Sequence, residues 1–242
     1  LPVPNELVVS NLRAFLGSRE ILRGVSLVCS AGEWLGVVGA NGSGKSTLLR
    51  CISGQQVYDS GAITIGGFDL LDDPIQAKAC FGLAIDAHDL PRELTGRQYL
   101  ELIGSIRGAK IDGSVDRLVR EFGLVGILDD VMRGYSFGTK QKIGIAGALI
   151  GLPKVLIFDE SLNGLDPPSA WCFKKLLSEI VATGEQAVVM TTHSLETVFE
   201  WCDRGVVMAK GAVSESQDLE ALRRAGYRLR DFEEETMREM VS

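Results

Sequence analysis

The run Gly39-Ala40-Asn41-Gly42-Ser43-Gly44-Lys45-Ser46-Thr47 carries the clearest chemistry in this chain. It fits the spacing G-x-x-x-x-G-K-[ST] through Gly39, Gly44, Lys45 and Ser46. Glycines let the backbone fold tightly enough for successive N–H groups to converge on one anion. The lysine adds a point charge for the outer phosphates, and the serine hydroxyl can ligate Mg2+. A second set closes the apolar run Val155-Leu156-Ile157-Phe158 with Asp159 and Glu160. Carboxylates at the C-terminal end of a parallel strand face the ligand crevice. Asp159 suits Mg2+, directly or through water, because this hard cation takes oxygen ligands and keeps its waters. Glu160 is then placed to polarise an attacking water. His193 follows Met190-Thr191-Thr192 and reaches the same edge, where an imidazole could hold a terminal phosphate and orient water. Taken alone it reads as a polar surface group, as does His88.

These residues need elements to hold them. Residues 34–38 read as a buried strand entering the glycine-rich loop, and residues 46–53 as a helix leaving it, with Gly54 as its C-cap. Strand, loop and helix together put phosphates on a helix N-terminus, where the dipole and free amides both favour anions. Upstream, Leu7-Val8-Val9 and residues 25–29 are β-rich, and Ala31-Gly32-Glu33 turns into the loop strand. Residues 60–65 form a further strand ending in Gly66-Gly67, a hairpin signal. Residues 81–85 form another, ending in the polar loop Asp86-Ala87-His88-Asp89-Leu90-Pro91. From Glu93 to Val131 the β-rich runs stop, and residues 98–103 and 115–122 carry helical spacing. Residues 87–152 therefore read as a helical insertion. Strands at 155–158 and 187–191, each followed by a helix, resume an α/β pattern.

At 242 residues, one α/β domain with an insertion fits the length. Hydrophobic content of 45% supplies a core, and charged content of 24% is ordinary for a globular chain. The net charge of −7, without a basic run, gives no nucleic-acid surface. The acids near the C-terminus, Asp231, Glu233, Glu234, Glu235 and Glu239, read as a solvated helix face. Five dispersed cysteines without a Cys-x-x-Cys indicate free thiols rather than a metal site or a disulfide framework. No apolar run reaches the ~18 residues of a membrane span, and the first residues lack a basic-then-apolar stretch. The expectation is a chain that does not itself cross a membrane.

In this order the pieces resemble the ATP-binding-cassette (ABC) ATPases over nearly the whole chain. Residues 39–47 are similar to Walker A, Asp159-Glu160 to the end of Walker B with its catalytic glutamate, and His193 to the switch histidine. Tyr135-Ser136-Phe137-Gly138-Thr139 is similar to the signature LSGGQ in a degenerate Tyr-Ser-x-Gly form. Ser161-Leu162-Asn163-Gly164-Leu165-Asp166 is similar to the D-loop. The resemblance implies ATP and Mg2+ as ligands, with Asn41, Gly42, Ser43 and Thr47 joining the phosphate loop and Ser46, Asp86 and Asp159 serving the metal. It further implies that Ser136, Phe137, Gly138 and Thr139 cap the nucleotide of an opposite subunit, and that Asp166 lies at the dimer seam. Phe15 resembles the aromatic that stacks on adenine, with Leu16 competing for the register. The fold implied is an α/β, RecA-like P-loop NTPase core with an antiparallel β subdomain (5–86 and 153–215). It carries an inserted α-helical subdomain (87–152) and a short C-terminal helical cap (216–242), all in one nucleotide-binding domain, 1–242.

Several positions depart from the family pattern. Asp86 stands where glutamine is usual; Phe137 and Thr139 replace a glycine and a glutamine of the signature; Ser161-Leu162 replaces a frequent Pro-Thr. Glu160 and His193 are intact. The Tyr-Ser-x-Gly and Asn-Gly-Leu-Asp-Pro flavour is similar to exporter subunits whose membrane domains are separate chains. The implied partners are a second copy or a paralogous ABC subunit and an integral membrane subunit, at the cytoplasmic face of the membrane. A soluble ABC ATPase of translation or DNA repair is the second reading, although such chains usually carry two cassettes or a long coiled-coil insertion. A GTPase or small-molecule kinase is a third, without the Asn-Lys-x-Asp base reader. A weakly hydrolysing regulatory subunit of a heterodimer is the narrower alternative.

Overall fold

The computed structural model describes residues 4–110 and 113–241; positions 1–3, 111–112 and 242 of the expected segments lie outside the described residues. Strands β1 (Asn5–Leu16) and β2 (Arg19–Ser30) form an antiparallel hairpin. Its inward face is apolar: Leu7, Val9, Leu12 and Ala14 face Leu22, Val25, Leu27 and Cys29, all buried. Next come β3 (Glu33–Val38) and helix α1 (Lys45–Ile52). Gly54 follows α1 with φ +68°, the left-handed conformation that ends a helix. Strand β4 (Ser60–Ile65) turns into β5 (Phe68–Asp69) through Gly66 and Gly67, both at positive φ, as a two-residue hairpin turn requires. Helix α2 (Pro74–Ala79) opens with proline at its first position and leads to β6 (Phe81–Leu83). This strand is two residues shorter than the apolar run 81–85, although the amide of Ala84 still bonds the carbonyl of Ile157.

Helices α3 (Gly96–Arg107), α4 (Gly113–Glu121) and α5 (Phe137–Leu149) occupy the region between β6 and β7 (Val155–Asp159). Thr95 and Gln98 close a reciprocal capping box on α3, which fixes where that helix begins. Helix α6 (Pro167–Val181) leads to β8 (Ala187–Thr192), and α7 (Leu195–Trp201) to β9 (Arg204–Ala209). Short strands β10 (Ala212–Val213) and β11 (Gln217–Asp218) and helices α8 (Leu219–Arg224) and α9 (Leu229–Val241) complete the chain.

Two sheets result. One is antiparallel, ordered β2-β1-β4-β5; the other runs β10-β9-β3-β8-β7-β6, with β11 also on β9. Strands β9, β3, β8, β7 and β6 are parallel. All six residues of β8 are buried, the continuous burial expected of a parallel strand covered on both faces. On one side Phe158 meets Phe173 edge-on at 4.9 Å. Farther along, Phe199 stacks on Phe232 at 5.4 Å, which docks α9 and leaves Asp231 and Glu234 of that helix exposed. Among the described residues no helix is long and apolar enough to cross a membrane.

The helical segment is tied to the sheet by close backbone approaches. A Cβ on Gly144 of α5 would lie 2.5 Å from the carbonyl oxygen of Ile85, and one on Gly82 only 2.0 Å from that of Ala148. Arg107 of α3 donates to the carbonyls of Ala148 (3.0 Å) and Ile150 (2.8 Å), closing the end of α5. Overpacking such a contact costs about 1–3 kcal/mol. Gly144→Val should therefore lower the urea midpoint at unchanged m-value. Gly134→Ala, where a Cβ meets open space, should stay within about 0.5 kcal/mol of the parent.

Candidate functional site

The ends of β3, β7 and β8 meet at the start of α1. Each contributes because a parallel register brings their C-terminal ends level: Val37 pairs with Thr191, and Asp159 pairs with Thr191 on the other side. The loop after β3 is close-packed. A Cβ on Gly39 would lie 2.3 Å from the carbonyl oxygen of Met208, and Gly44 sits at φ +116° against the Met208 methyl. These positions take only glycine, and the free amides at the start of α1 are left facing outward for an anion. Ser43 is buried, and its hydroxyl has no hydrogen-bond partner. An orphan hydroxyl inside this loop is what a phosphate oxygen would satisfy.

Lys45 is only 5% exposed, and its ammonium donates to the carbonyl of Gly39 at 2.7 Å. It also lies 3.3 Å from Oε1 of Glu160. The other carboxylate oxygen, Oε2, sits 2.9 Å from Nδ1 of His193, whose ring is mostly exposed. Glu160 itself has φ +46°, the left-handed region, and its amide donates to the carbonyl of Thr191 at 3.1 Å. Asp159 accepts the Thr191 hydroxyl at 2.5 Å on Oδ1. A cleft of about 310 Å³ is lined by Asn41, Gly42, Gly44, Lys45, Ser46, Thr47 and Glu160, together with Arg19 and Ile21 of β2. Arg19 and Ile21 escaped the sequence reading. Their i, i+2 spacing puts them on one strand face, but nothing local says that this face borders the loop.

Not every candidate converges on this cleft. Phe15 is 43% exposed on β1 and pairs across the hairpin with Glu20, and it is not among the residues lining the cleft. Asp86 is exposed, and its Oδ1 accepts the amide of His88 at 2.7 Å, closing its own turn. Ser136 caps α5 by accepting the amide of Thr139 at 3.1 Å, and the two hydroxyls lie 2.9 Å apart. Gly138 presses on the D-loop-like segment: a Cβ there would lie 2.4 Å from the carbonyl oxygen of Gly164. The Phe137 ring lies against Gly164 and 5.4 Å from His88. Asp166 caps α6, accepting the amide of Ser169 at 3.0 Å and the ammonium of Lys142 at 2.7 Å. The Lys142 hydrogen bond, helped by Ser169, holds its carboxyl well below the usual carboxylate range. Cys51 of α1 is a free thiol whose pKa burial pushes up to about 11, so it stays protonated at neutral pH.

Ser46 lines the cleft with a hydroxyl and Asp159 ends β7 with a carboxylate, oxygen donors of the kind Mg2+ takes beside substrate phosphates and water.

A family model described as ABC transporter matches residues 22–163. The chain is similar to the uncharacterized ABC transporter ATP-binding protein YdbJ of Bacillus subtilis (strain 168), 34% identical over 214 residues, covering 88% of this chain and 70% of that one. It is 37% identical over 206 residues to the methionine import ATP-binding protein MetN of Bordetella avium (strain 197N), covering 82% of this chain but 57% of MetN. A solved structure described as the ATP binding subunit of an ABC transporter superposes with a TM-score of 0.85 at 30% identity, covering 96% of this chain and 99% of that one. The dimeric bacterial ABC transporter cassette MJ0796, at 21% identity and a TM-score of 0.78 over 88% of this chain and 98% of that one, shares the fold. With the phosphate loop, Asp159 and Glu160 all inside the matched residues, the chain belongs to the ABC transporter family, as an ATP-binding subunit of the class whose general activity is ATP hydrolysis.

Proposed function

We propose that this chain hydrolyses ATP as one half of a head-to-tail dimer. Closure of that dimer works a separate integral membrane subunit at the cytoplasmic face of the membrane, in the direction of export. The carrying observation is the Glu160 carboxylate, set between the Lys45 ammonium at 3.3 Å and the His193 imidazole at 2.9 Å. A terminal phosphate entering the loop competes with Glu160 for Lys45, because the amides of α1 and the Ser43 hydroxyl hold the anion while the lysine neutralises it. Glu160, relieved of the lysine, accepts the proton of the attacking water. His193 hydrogen-bonds that carboxylate and lies where it can orient the same water. Ser46 and Asp159 would hold Mg2+, which would supply further charge neutralisation at the phosphates. Phe15 is the proposed adenine platform, on the hairpin whose Arg19 and Ile21 line the cleft.

Ser136 to Thr139 lie at an outward-facing helix start, an anion site away from their own chain's cleft. They are assigned to the nucleotide of a second subunit, a copy or a paralogue, with Asp166 near the seam through its cap on α6. The helical segment 87–152 is assigned to the membrane subunit. In support, an apolar groove of about 640 Å³ runs between α2, β6 and α3, lined by Ile75, Phe81, Ile103 and Ile106 among others. Ile75 and Ile106 are 82% and 72% exposed, an apolar patch of the kind that marks an interaction surface. Export rests on the motif flavour around Tyr135 and Asp166. Import is the second reading, favoured by the similarity to MetN. Flux of cargo into inside-out vesicles carrying the co-purifying membrane subunit separates the two.

Glu160→Gln should lower ATP turnover by about 10²–10⁴-fold, the usual weight of a general base, while an ATP-bound dimer accumulates on size-exclusion chromatography. Normal turnover in that variant would sink the assignment. Asp86→Gln should leave ATP binding intact and alter ATP-driven transport, read by nucleotide titration beside vesicle flux. Loss of ATP binding instead would show that the loop after β6 belongs to the nucleotide site itself.

A further inference from the structure

One buried hydroxyl joins the two carboxylates on which hydrolysis depends. Thr191 is fully buried on β8, between Val37 of β3 and Asp159 of β7. Its Oγ1 donates to Oδ1 of Asp159 at 2.5 Å and accepts the amide of Glu160 at 3.1 Å. The same amide also bonds the Thr191 carbonyl at 3.1 Å. One residue therefore holds the side chain of one acid and the backbone of the next.

That backbone needs holding. Glu160 sits at φ +46°, a conformation that a residue with a Cβ adopts only when its surroundings impose it. Its N–H, clamped on two oxygens of Thr191, is the visible restraint. The left-handed turn directs the side chain toward Lys45 and His193 instead of continuing the strand alternation. At Asp159, the hydrogen bond from Thr191 occupies one carboxylate oxygen and sets the plane of the group. Its neighbour Thr192 uses its hydroxyl differently, accepting the amide of Ser194 at the turn into α7. Valine has nearly the same shape and suits a buried parallel strand, so what it would remove is the pair of hydrogen bonds to Asp159 and the Glu160 amide.

We propose that Thr191 is a positioning residue for ATP hydrolysis, fixing Asp159 for the metal and Glu160 for the attacking water through a single hydroxyl. The proposal rests on the ATPase reading above. Groups that orient metal ligands from behind weigh about 10–100-fold in metal affinity or activity. The test compares Thr191→Val with Thr191→Ser, using Glu160→Gln as reference. It measures kcat, the Mg2+ concentration for half-maximal turnover, binding of a fluorescent ATP analogue in EDTA and in Mg2+, and the urea midpoint. Thr191→Val should lower kcat and raise the Mg2+ requirement by about tenfold or more each. Its analogue affinity in EDTA should stay within about twofold of the parent, while the tightening brought by Mg2+ is lost; Thr191→Ser, which keeps the hydroxyl, should restore both. The proposal is overturned if Thr191→Val keeps normal kcat and Mg2+ dependence while Glu160→Gln is inactive. It is also overturned if Thr191→Ser falls in step with Thr191→Val and with the urea midpoint, which would make shape the cause. Should Thr191→Val not fold, Thr191→Ala, which also lacks the hydroxyl, takes its place against Thr191→Ser. Normal turnover in Glu160→Gln would instead remove the ATPase reading beneath the proposal.

Discussion

A buried ammonium is the constraint from which the rest of this molecule can be derived. Lys45 is 5% exposed at the first turn of α1, and a charge so placed is tolerable only with partners. The Gly39 carbonyl and the Glu160 carboxylate supply them. The Ala40 carbonyl adds a further acceptor at 3.3 Å, so the ammonium is held by two carbonyls and one carboxylate. The geometry that follows is demanding. Gly39 must approach the Met208 backbone, which requires β9 beside β3. Glu160 must turn left-handed at the end of β7, which requires β8 beside it. The sheet order β9-β3-β8-β7 is the order that meets both demands. The same geometry holds the ammonium against the loop carbonyls of Gly39 and Ala40 as well as against Glu160.

The start of α5 is linked to the loops after β6 and β7 by one close backbone approach and several side-chain contacts. Gly138 at the start of α5 rests on the carbonyl of Gly164, and Gly164 in turn rests against the Phe137 ring. Phe137 also reaches His88, whose amide closes the turn made by Asp86. The loop after β6, the start of α5 and the loop after β7 therefore form one contact chain. Lys142 extends it by joining α5 to the Asp166 cap of α6. Two aspartates that sequence resemblance places at the metal and at the dimer seam are both engaged in local caps. What these two carboxylates do within the chain is hold the turn after β6 and the start of α6 in place.

What was legible in the sequence was local. The phosphate loop, its flanking strand and helix, the Gly66-Gly67 turn and the helical spacing at 98–103 and 115–122 all depend on neighbours a few residues apart. The acids closing β7 were legible because a short apolar run ending in Asp-Glu has few other meanings beside a phosphate loop. Strand β9 is hard to see in the sequence: after Arg204 and Gly205 only the four residues Val206-Val207-Met208-Ala209 are apolar, and its place beside β3 is a long-range fact. Arg19 and Ile21 in the cleft were missed for the same reason. In the sequence Thr191 reads only as part of the strand leading to His193, since its bond to Asp159 exists only once β7 and β8 are in register.

The departures at Phe137 and Thr139 take on meaning from the same contacts. A glycine at 137 would leave the start of α5 free of the loop after β6, whereas a phenylalanine puts an aromatic surface between Gly164 and His88. Thr139 turns inward to the Ser136 hydroxyl at 2.9 Å, where a longer amide side chain would extend outward. Both residues add contacts that order the start of α5 within this chain. The helix start is pre-organised: the Ser136 hydroxyl is already directed by Thr139, which leaves it little rotamer freedom to lose. Through Phe137 and His88 the same helix start is tied to the loop carrying Asp86, so the two segments are held as one packed unit.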